Sequence, residues 1–540
     1  FATESPSGIL DGATPSHMSA PLKNRDTSLS SAEPLSRRAV GSLVSHQHRS
    51  VHGQLRGNAK KPLRVMKFGG TSVANASSIE KVADIVHAAA RESHVVVVVS
   101  AMSGVTNRLV EAATQSEAGN HDVVVAIFAE LRKRHESAAR ALIRSDEKRQ
   151  HTSRGMQKLF QEVNSLCQDA ILGHQLTPRA RDSIVGLGER LSAPLVAAAL
   201  VARGVTSEAI EATELVITDA CHGSANPCMD LTRERCEARL RPLLLQGTVP
   251  VVTGFIGATL DGALTTLGRN SSDYSGTIMG GALDADEVTL WTDVDGILTA
   301  DPRLVPSARP ILEMSYREAS DLAESGAKVL HPKTLEPVME RCIPLLIRNT
   351  FAPDRPGTKI TASGPCSSSE VKALAVTSDV AMIRVQGSGG AEVHDVLSRT
   401  LAAAEAAKAD VRLIPQSHCS PREVCLVVSS AVAQATVEAL RQEFAQELTH
   451  KQLGSIDLEL PVAIIAVVCE STLGIQGLMG RVLRALEGEN LNVLASAQGS
   501  SQSSFSLVVR QQGMKATLLT THQELCLNGA TSLEFPNTIL

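Results

Sequence analysis

The octapeptide Val65-Met66-Lys67-Phe68-Gly69-Gly70-Thr71-Ser72 restricts what this chain can fold into more than any other segment. A short apolar strand delivers a lysine, then two glycines, then two hydroxyls. The stretch that follows has helical spacing, with Ile79, Val82, Ile85, Val86 and Ala89 on one face of a helix over Ser78–Ala90. That order suits an anion: glycines let backbone N–H groups approach oxygens, lysine supplies charge, and a helix N-terminus adds a favourable dipole. A strand and glycine turn holding no ligand accounts for the same residues equally well. The motif is not a Walker A loop, since Gly-x-x-x-x-Gly-Lys-Ser/Thr occurs nowhere in the chain.

From 63 to about 360, short apolar runs ended by turn residues alternate with helical stretches. Arg64–Phe68, Val95–Ser100, Val249–Thr253, Glu287–Trp291 and Pro344–Arg348 read as buried strands. Glu189–Arg203, closed by Gly204, and a segment opened by Ser315 with Glu318 as capping-box partner read as helices. Residues 120–170 are helical almost throughout and predict a cap over the sheet. The alternation predicts an α/β domain over 62–360, a mostly parallel sheet sandwiched by helices, with ligands at the carboxyl ends of strands. After Pro356-Gly357 a βαββα pattern occurs and then recurs, with Pro415-Gln416-Ser417-His418-Cys419-Ser420 echoing Ala497-Gln498-Gly499-Ser500-Ser501. Two ferredoxin-like modules, at 371–450 and 460–526, are the expected arrangement, followed by a tail at 527–540. Such modules are either structural, or bind an effector and mediate dimerisation.

Residues 1–61 stand apart, rich in Ser, Pro, Gly and His and free of acid after Glu33 while Arg37, Arg38, Arg49, Arg56, Lys60 and Lys61 accumulate. This resembles an organelle transit peptide; the earlier Glu4, Asp11 and Asp26 fit a disordered tail instead. With Phe1 in first place, the true amino terminus is expected to lie elsewhere. For the chain as a whole, a formal charge of −5 and 2% aromatics argue against a nucleic-acid partner. The 10 cysteines are scattered without Cys-x-x-Cys or metal-like spacing, which predicts free thiols in a reducing compartment. The apolar runs Val95–Val99 and Val462–Cys469 are too short to span a bilayer, so no membrane partner is expected.

Four further segments sit at strand ends or open helices: Ser100-Ala101-Met102-Ser103-Gly104-Val105-Thr106, Gly188-Glu189-Arg190-Leu191-Ser192, Gly268-Arg269-Asn270-Ser271-Ser272-Asp273-Tyr274, and Trp291-Thr292-Asp293-Val294-Asp295-Gly296 with Asp301-Pro302-Arg303. Each alone has a plain explanation, as helix first-turn charges or turns. With these segments, and with Gly326-Ala327-Lys328-Val329-Leu330-His331-Pro332, the chain resembles the aspartate kinases of the amino-acid-kinase family from about 63 to 525. The tail modules resemble that family's paired βαββαβ ACT domains. Arg269-Asn270 and Trp291-Thr292-Asp293 are most similar to the kinase half of bifunctional aspartate kinase–homoserine dehydrogenases. A Gly-x-Gly-x-x-Gly fingerprint is missing, Gly186-Leu187-Gly188 being followed by Glu-Arg-Leu. A monofunctional kinase and a truncated bifunctional one both fit.

The resemblance implies transfer of the ATP γ-phosphoryl group to the side-chain carboxylate of L-aspartate, the first step towards lysine, threonine, methionine and isoleucine. It places Lys67 at the transferring phosphoryl, assisted by Gly69 and Gly70 N–H groups, with Asp273 orienting the lysine. It implies that Arg269 clamps the substrate α-carboxylate and Glu189 its ammonium, while Ser100, Thr106, Phe255 and Ser272 line the pocket. Thr292, Asp293, Arg303 and Lys328 correspond to nucleotide-binding positions. Mg2+ is implied, held by phosphates and water rather than by protein ligands. Gln416 and Gln498 match glutamines associated with effector binding, which favours threonine over lysine, and pairing through the ACT domains implies a homodimer or higher oligomer.

Departures from the family pattern fall at Leu298, at Leu322-Ala323-Glu324-Ser325, at Gly387-Ser388-Gly389-Gly390-Ala391-Glu392 and at Leu473-Gly474. The last two border effector sites in relatives. A genuine leader would place the protein in a plastid, its absence in the cytoplasm. The competing readings are a catalytically weak amino-acid sensor that kept its ACT domains, and a kinase of the same fold acting on glutamate or acetylglutamate.

Overall fold

The computed structural model describes residues 61–268, 271–327, 330–364, 371–387, 393–415, 423–469, 477–498, 504–525 and 527. Residues 1–60 of the expected leader, the Ser388–Glu392 and Leu473-Gly474 departures, and all of the tail but Leu527 lie outside them.

The first half of the described chain opens with β1 (Leu63–Phe68), α1 (Ala76–Ala90), β2 (His94–Val99) and α2 (Val105–Glu117). Four helices follow: α3 (His121–Leu142), α4 (Asp146–Gly173), α5 (Pro178–Val185) and α6 (Leu187–Ala202). Then come β3 (Ser207–Ile210), α7 (Met229–Leu245), β4 (Val249–Thr253), the hairpin β5 (Ile256–Ala258) and β6 (Leu264–Thr266), and α8 (Ser272–Ala282). The half closes with β7 (Glu287–Thr292), β8 (Glu313–Ser315), α9 (Tyr316–Glu324), α10 (Pro332–Met339), β9 (Leu345–Asn349) and β10 (Thr358–Thr361).

Eight of these strands form one sheet in the order β3-β4-β2-β1-β7-β9-β10-β8. Every pairing in it is parallel except β9 with β10. The central strand β2 reads as an unbroken valine run, and its neighbours β1 and β7 are mostly apolar, because helices cover both faces. Val65, Val96 and Val98 enter one core and Met66, Phe68, Val95, Val97 and Val99 the other. Each fully buried valine contributes roughly 1.5–3 kcal/mol. The long helices α3 and α4 form the expected cap on the second core, where Phe128 and Phe160 meet edge to face at 6.3 Å. Ser145 caps α4, and Ser315 with Glu318 completes the capping box of α9. Pro178–Ala202 is long and apolar enough to cross a membrane, yet 78% of its apolar window is buried inside the domain. It is a core helix pair.

The second half contains β11 (Val371–Gly387), α11 (Val393–Ala406), β12 (Val411–Leu413), β13 (Glu423–Ser429), α12 (Ser430–Glu443) and α13 (Ala445–Thr449). It ends with β14 (Leu453–Cys469), α14 (Leu478–Gly488), β15 (Val493–Gln498), β16 (Ser504–Arg510) and α15 (Met514–Glu524). Six strands form a single antiparallel sheet ordered β12-β13-β11-β14-β16-β15. The two βαββα patterns are both present, but their sequences interlock. Residues 371–377 of β11 pair with 464–469 of β14, beside β16, whereas 453–459 of β14 pair with 382–387 of β11, beside β13. Each repeat therefore lends a strand to the other's half of the sheet, and boundaries at 371–450 and 460–526 cut across these pairings. The described residues form one compact unit.

Candidate active site

Lys67 lies near the carboxyl end of the central strand, flanked by Val98 of β2 and Leu290 of β7. Its side chain is buried, and its Nζ is 2.5 Å from Asp273 Oδ1 in the first turn of α8. A buried ammonium without such a partner would be strongly disfavoured. The close seat of α8 makes the pair reachable. A Cβ at Gly276 would lie 2.9 Å from Lys67 Cβ, so only glycine lets the helix settle onto β1.

Backbone hydrogen bonds stitch three strand ends together here. Gly69 N–H donates to Trp291 O, Ser100 N–H to Phe68 O and Ser103 N–H to Gly70 O. The Gly69 N–H is thereby engaged, contrary to the expectation that both glycines offer theirs to a phosphate. Among the described residues the N–H groups of Gly70, Thr71 and Val73 in this turn have no backbone partner. A side chain at Gly69 would reach within 3.6 Å of Lys67 Nζ, and one at Gly70 within 3.0 Å of Ala101 O, so the glycines keep the space beside the ammonium open.

Glu189 is buried in the first turn of α6. The Ala101 N–H donates to its Oε1 at 3.0 Å, while Oε2 has no partner. Burial raises its pKa to about 8, against the opposing pull of the Ala101 N–H and the Lys67 charge. Gly188 permits this approach, since a Cβ there would stand 2.6 Å from Ala101 Cβ. Ser192 Oγ, one turn on, donates to Ser100 O at 2.7 Å and fixes α6 to the end of β2.

Phe255 adopts a left-handed backbone with φ 68°, costly for a bulky residue by roughly 1–3 kcal/mol. Two hydrogen bonds hold it: its N–H donates to Ser275 Oγ at 2.7 Å and its carbonyl accepts from Leu267 N–H at 2.9 Å. The preceding Gly254 touches Ser272, whose Cβ would lie 3.2 Å from a Cβ at 254. Thr106 is half-buried in the first turn of α2.

The remaining expected residues are more dispersed. Thr292 ends β7 beside the Lys67 strand, and its hydroxyl donates to the exposed Asp293 at 3.2 Å. Arg303 lies on the excursion between β7 and β8, where Asp301 holds its guanidinium at 2.6 and 2.9 Å. It makes no hydrogen bond or ion pair to the Lys67 cluster. Gln498 is exposed at the end of the edge strand β15. Arg269, Lys328 and Gln416 lie outside the described residues.

Asp182 went unread in the sequence. Its carboxylate is buried at the end of α5 and takes hydrogen bonds from His222, Gly223 and Thr266. An acid two residues before the apolar pair Ile184-Val185 was the available signal. Lys67, Asp273, Glu189 and the turn N–H groups without a backbone partner together form a buried site of mixed charge. Such a site suits a polyanion beside a small molecule bearing both an ammonium and a carboxylate.

Comparison with known proteins follows the same lines. Residues 62–349 match the model of the amino acid kinase family and 465–525 an ACT domain. The chain is similar to a bifunctional aspartokinase/homoserine dehydrogenase of Haemophilus influenzae, 32% identical over 86% of this chain and 57% of that protein. It is 29% identical to the chloroplastic aspartokinase 1 of Arabidopsis thaliana over 87% of this chain and 81% of that one. Escherichia coli aspartokinase III bound to aspartate and ADP superposes with a TM-score of 0.71 at 27% identity, over 86% of this chain and 99% of that chain. The same enzyme bound to lysine and aspartate gives 0.69 at 28% identity, with the same coverage. The chain spans only about half the length of the bifunctional relatives it matches.

Proposed function

The chain belongs to the amino acid kinase family, and on that premise we propose that it transfers the γ-phosphoryl group of ATP to the side-chain carboxylate of L-aspartate, giving 4-phospho-L-aspartate. The observation that carries this reading is the buried Lys67 ammonium paired with Asp273, with the unpartnered Oε2 of Glu189 in the same field. An aspartate side chain has a pKa of about 3.9, so the nucleophile arrives ionised and no general base is required. The barrier is the approach of one anion to another, which calls for positioning and charge neutralisation.

In this reading Lys67 neutralises charge on the transferring group while Asp273 holds the ammonium in place. The Gly70 and Thr71 N–H groups receive phosphate oxygens. Glu189 gives up its proton to take the substrate ammonium, and Arg269 takes the α-carboxylate with a bidentate fork that lysine could not offer. Phe255, Ser272, Ser100 and Thr106 shape the acceptor pocket, and Thr292, Asp293, Arg303 and Lys328 face the nucleotide. Glycine at 69 leaves its side of the Lys67 ammonium uncovered, where a phosphate with its ion would lie. Mg2+ would bring charge neutralisation to the phosphates. That ion would be held by phosphate and water rather than by protein ligands.

Feedback by an amino acid bound to the ACT modules belongs to the same proposal, with threonine favoured over lysine on the strength of Gln416 and Gln498. Assembly through these modules and a plastid location follow the family and the chloroplastic relatives.

The test traps acyl phosphate as hydroxamate from the full chain with Mg-ATP and aspartate, glutamate or acetylglutamate, with and without threonine or lysine. Aspartate-dependent hydroxamate supports the kinase, and suppression by threonine alone supports the effector assignment. Threonine or lysine raising the Tm without any hydroxamate would move the reading to an amino-acid sensor.

A further inference from the structure

Asp182 is 3% exposed, and four donors converge on its carboxylate from two separate segments. Thr266 Oγ1 donates to Oδ1 at 2.7 Å. His222 Nδ1, the Gly223 N–H and the Thr266 N–H donate to Oδ2 at 2.9, 3.0 and 3.1 Å. A carboxylate this dry is stable only with its lone pairs filled, so the four donors and Asp182 fix one another.

What these bonds join matters more than their number. Asp182 sits on α5, which turns at Gly186 directly into α6 and Glu189. Thr266 ends β6, and the next residue, Leu267, donates its N–H to the carbonyl of the strained Phe255. The two sides are pressed together at the turn, where a Cβ on Gly186 would come within 2.8 Å of Ile256 Cγ2. His222 and Gly223 bring in a third segment, and Gly268 rests on it, a Cβ there falling 3.7 Å from Ser224 Oγ. The carboxylate thus links the helix start bearing Glu189 to the hairpin that shapes Phe255.

Resting on the proposed reaction, we infer that Asp182 is a positioning residue that sets the spacing between Glu189 and Phe255, and so governs affinity for the amino-acid acceptor. It touches neither substrate nor nucleotide. Its loss acts on acceptor binding and leaves the Lys67–Asp273 pair on β1 and α8 in place. Thr266→Val removes one of the four donors, and Thr266→Ser restores it.

The experiment measures kcat, aspartate KM, ATP KM and Tm for wild type, Asp182→Asn, Thr266→Val and Thr266→Ser. Asp182→Asn is expected to raise aspartate KM about tenfold or more, with kcat and ATP KM within about threefold. Thr266→Val should raise aspartate KM a few-fold, and Thr266→Ser should return it to the wild-type value. Equal losses in every parameter, tracking a fall in Tm, would show a purely structural role and overturn the inference, as would an unchanged aspartate KM. If Asp182→Asn does not fold, the Thr266 pair decides by the same criterion. Wild type without aspartate-dependent turnover overturns the functional reading and this inference together. An active wild type with no acceptor-specific effect overturns the inference alone.

Discussion

Glu189 keeps its proton at neutral pH, because burial lifts its pKa to about 8. Between pH 4.5 and 8 the folded state therefore holds a proton that the unfolded chain has released, so this residue's contribution to stability falls as pH rises through that window. A substrate ammonium reverses the preference by stabilising the carboxylate. Aspartate binding at pH 7 should therefore release a proton, and aspartate KM should rise by up to about tenfold per pH unit below 8. Calorimetry in buffers of different ionisation enthalpy checks this, and an enthalpy independent of buffer would sink it. Lys67→Ala and Asp273→Ala should each lower kcat at least a hundredfold, the second by leaving a buried ammonium unpaired; wild-type turnover in the first removes Lys67 from the reaction, and in the second shows its pairing to be dispensable. Of these charges only Lys67 was legible from its place at the end of an apolar strand; Glu189 and Asp273 read alone as helix first-turn charges, and their roles came from the family resemblance. The left-handed backbone of Phe255 and the engaged N–H of Gly69 were not legible, since both depend on neighbours distant in the chain.

Periodicity and caps carried the element scale well within the first half, where Ser145, Ser315 and Glu318 mark helix starts. Of the long strand β11 (Val371–Gly387) they gave only the half Val380–Gly387. Its apolar halves are separated by Thr377-Ser378-Asp379, which reads as a turn, and Asp379 does take φ 60° while the register shifts around it. The pairing nevertheless continues, because β14 offers a matching partner on both sides of the irregularity. Helix α8 shows a different dependence on context. Three of its glycines meet neighbours: Gly276 against Lys67, Gly280 against Val288 and Gly281 against Pro337. Gly276→Ala should lift the helix from β1 and weaken the Lys67–Asp273 pair, lowering kcat by about tenfold or more along with Tm; unchanged kcat would show that the close seat is dispensable. In the α3–α4 cap, burial lowers the pKa of His135 to about 4, although the Leu131 carbonyl opposes it. The unfolded chain takes up a proton near pH 6.5 that the folded one refuses until about pH 4. Stability should therefore fall by up to about 3 kcal/mol as pH drops across that range. His135→Leu should flatten this slope in urea melts at pH 7 and pH 4.5, and an unaltered slope would assign the acid sensitivity elsewhere.

At the scale of the whole molecule, the segment between β7 and β8 belongs to the sheet of the first half by sequence and to the core of the second by packing. Ala300 and Val305 are buried in one cluster with Leu374, Val482, Phe505 and Leu518. Leu374 N–H donates to Thr299 O at 2.8 Å, and Arg309 Nε donates to Leu527 O at 3.2 Å. Thr299 Oγ1 meets Nε2 of the buried His522 on α15 at 3.0 Å. The sequence announced two modules behind an α/β domain, but not that the second would grip the loop carrying Arg303. No pattern in 297–311 alone distinguishes packing onto the second, antiparallel sheet from packing onto its own domain. A shift of α15 must pull on this loop, which leads back to Thr292 at the strand end beside Lys67. Thr299→Val cuts this bond to His522 and the bond that Thr299 Oγ1 accepts from the Arg309 N–H at 3.0 Å within the loop, while leaving the apolar contacts in place. Amide exchange over 297–311 should then accelerate severalfold and ATP KM should rise a few-fold, while aspartate KM stays within about twofold of wild type. Unchanged exchange over 297–311 would mean that the apolar cluster alone holds the joint, and equal rises in both KM values would mean that the substitution disturbs the whole site rather than its nucleotide side.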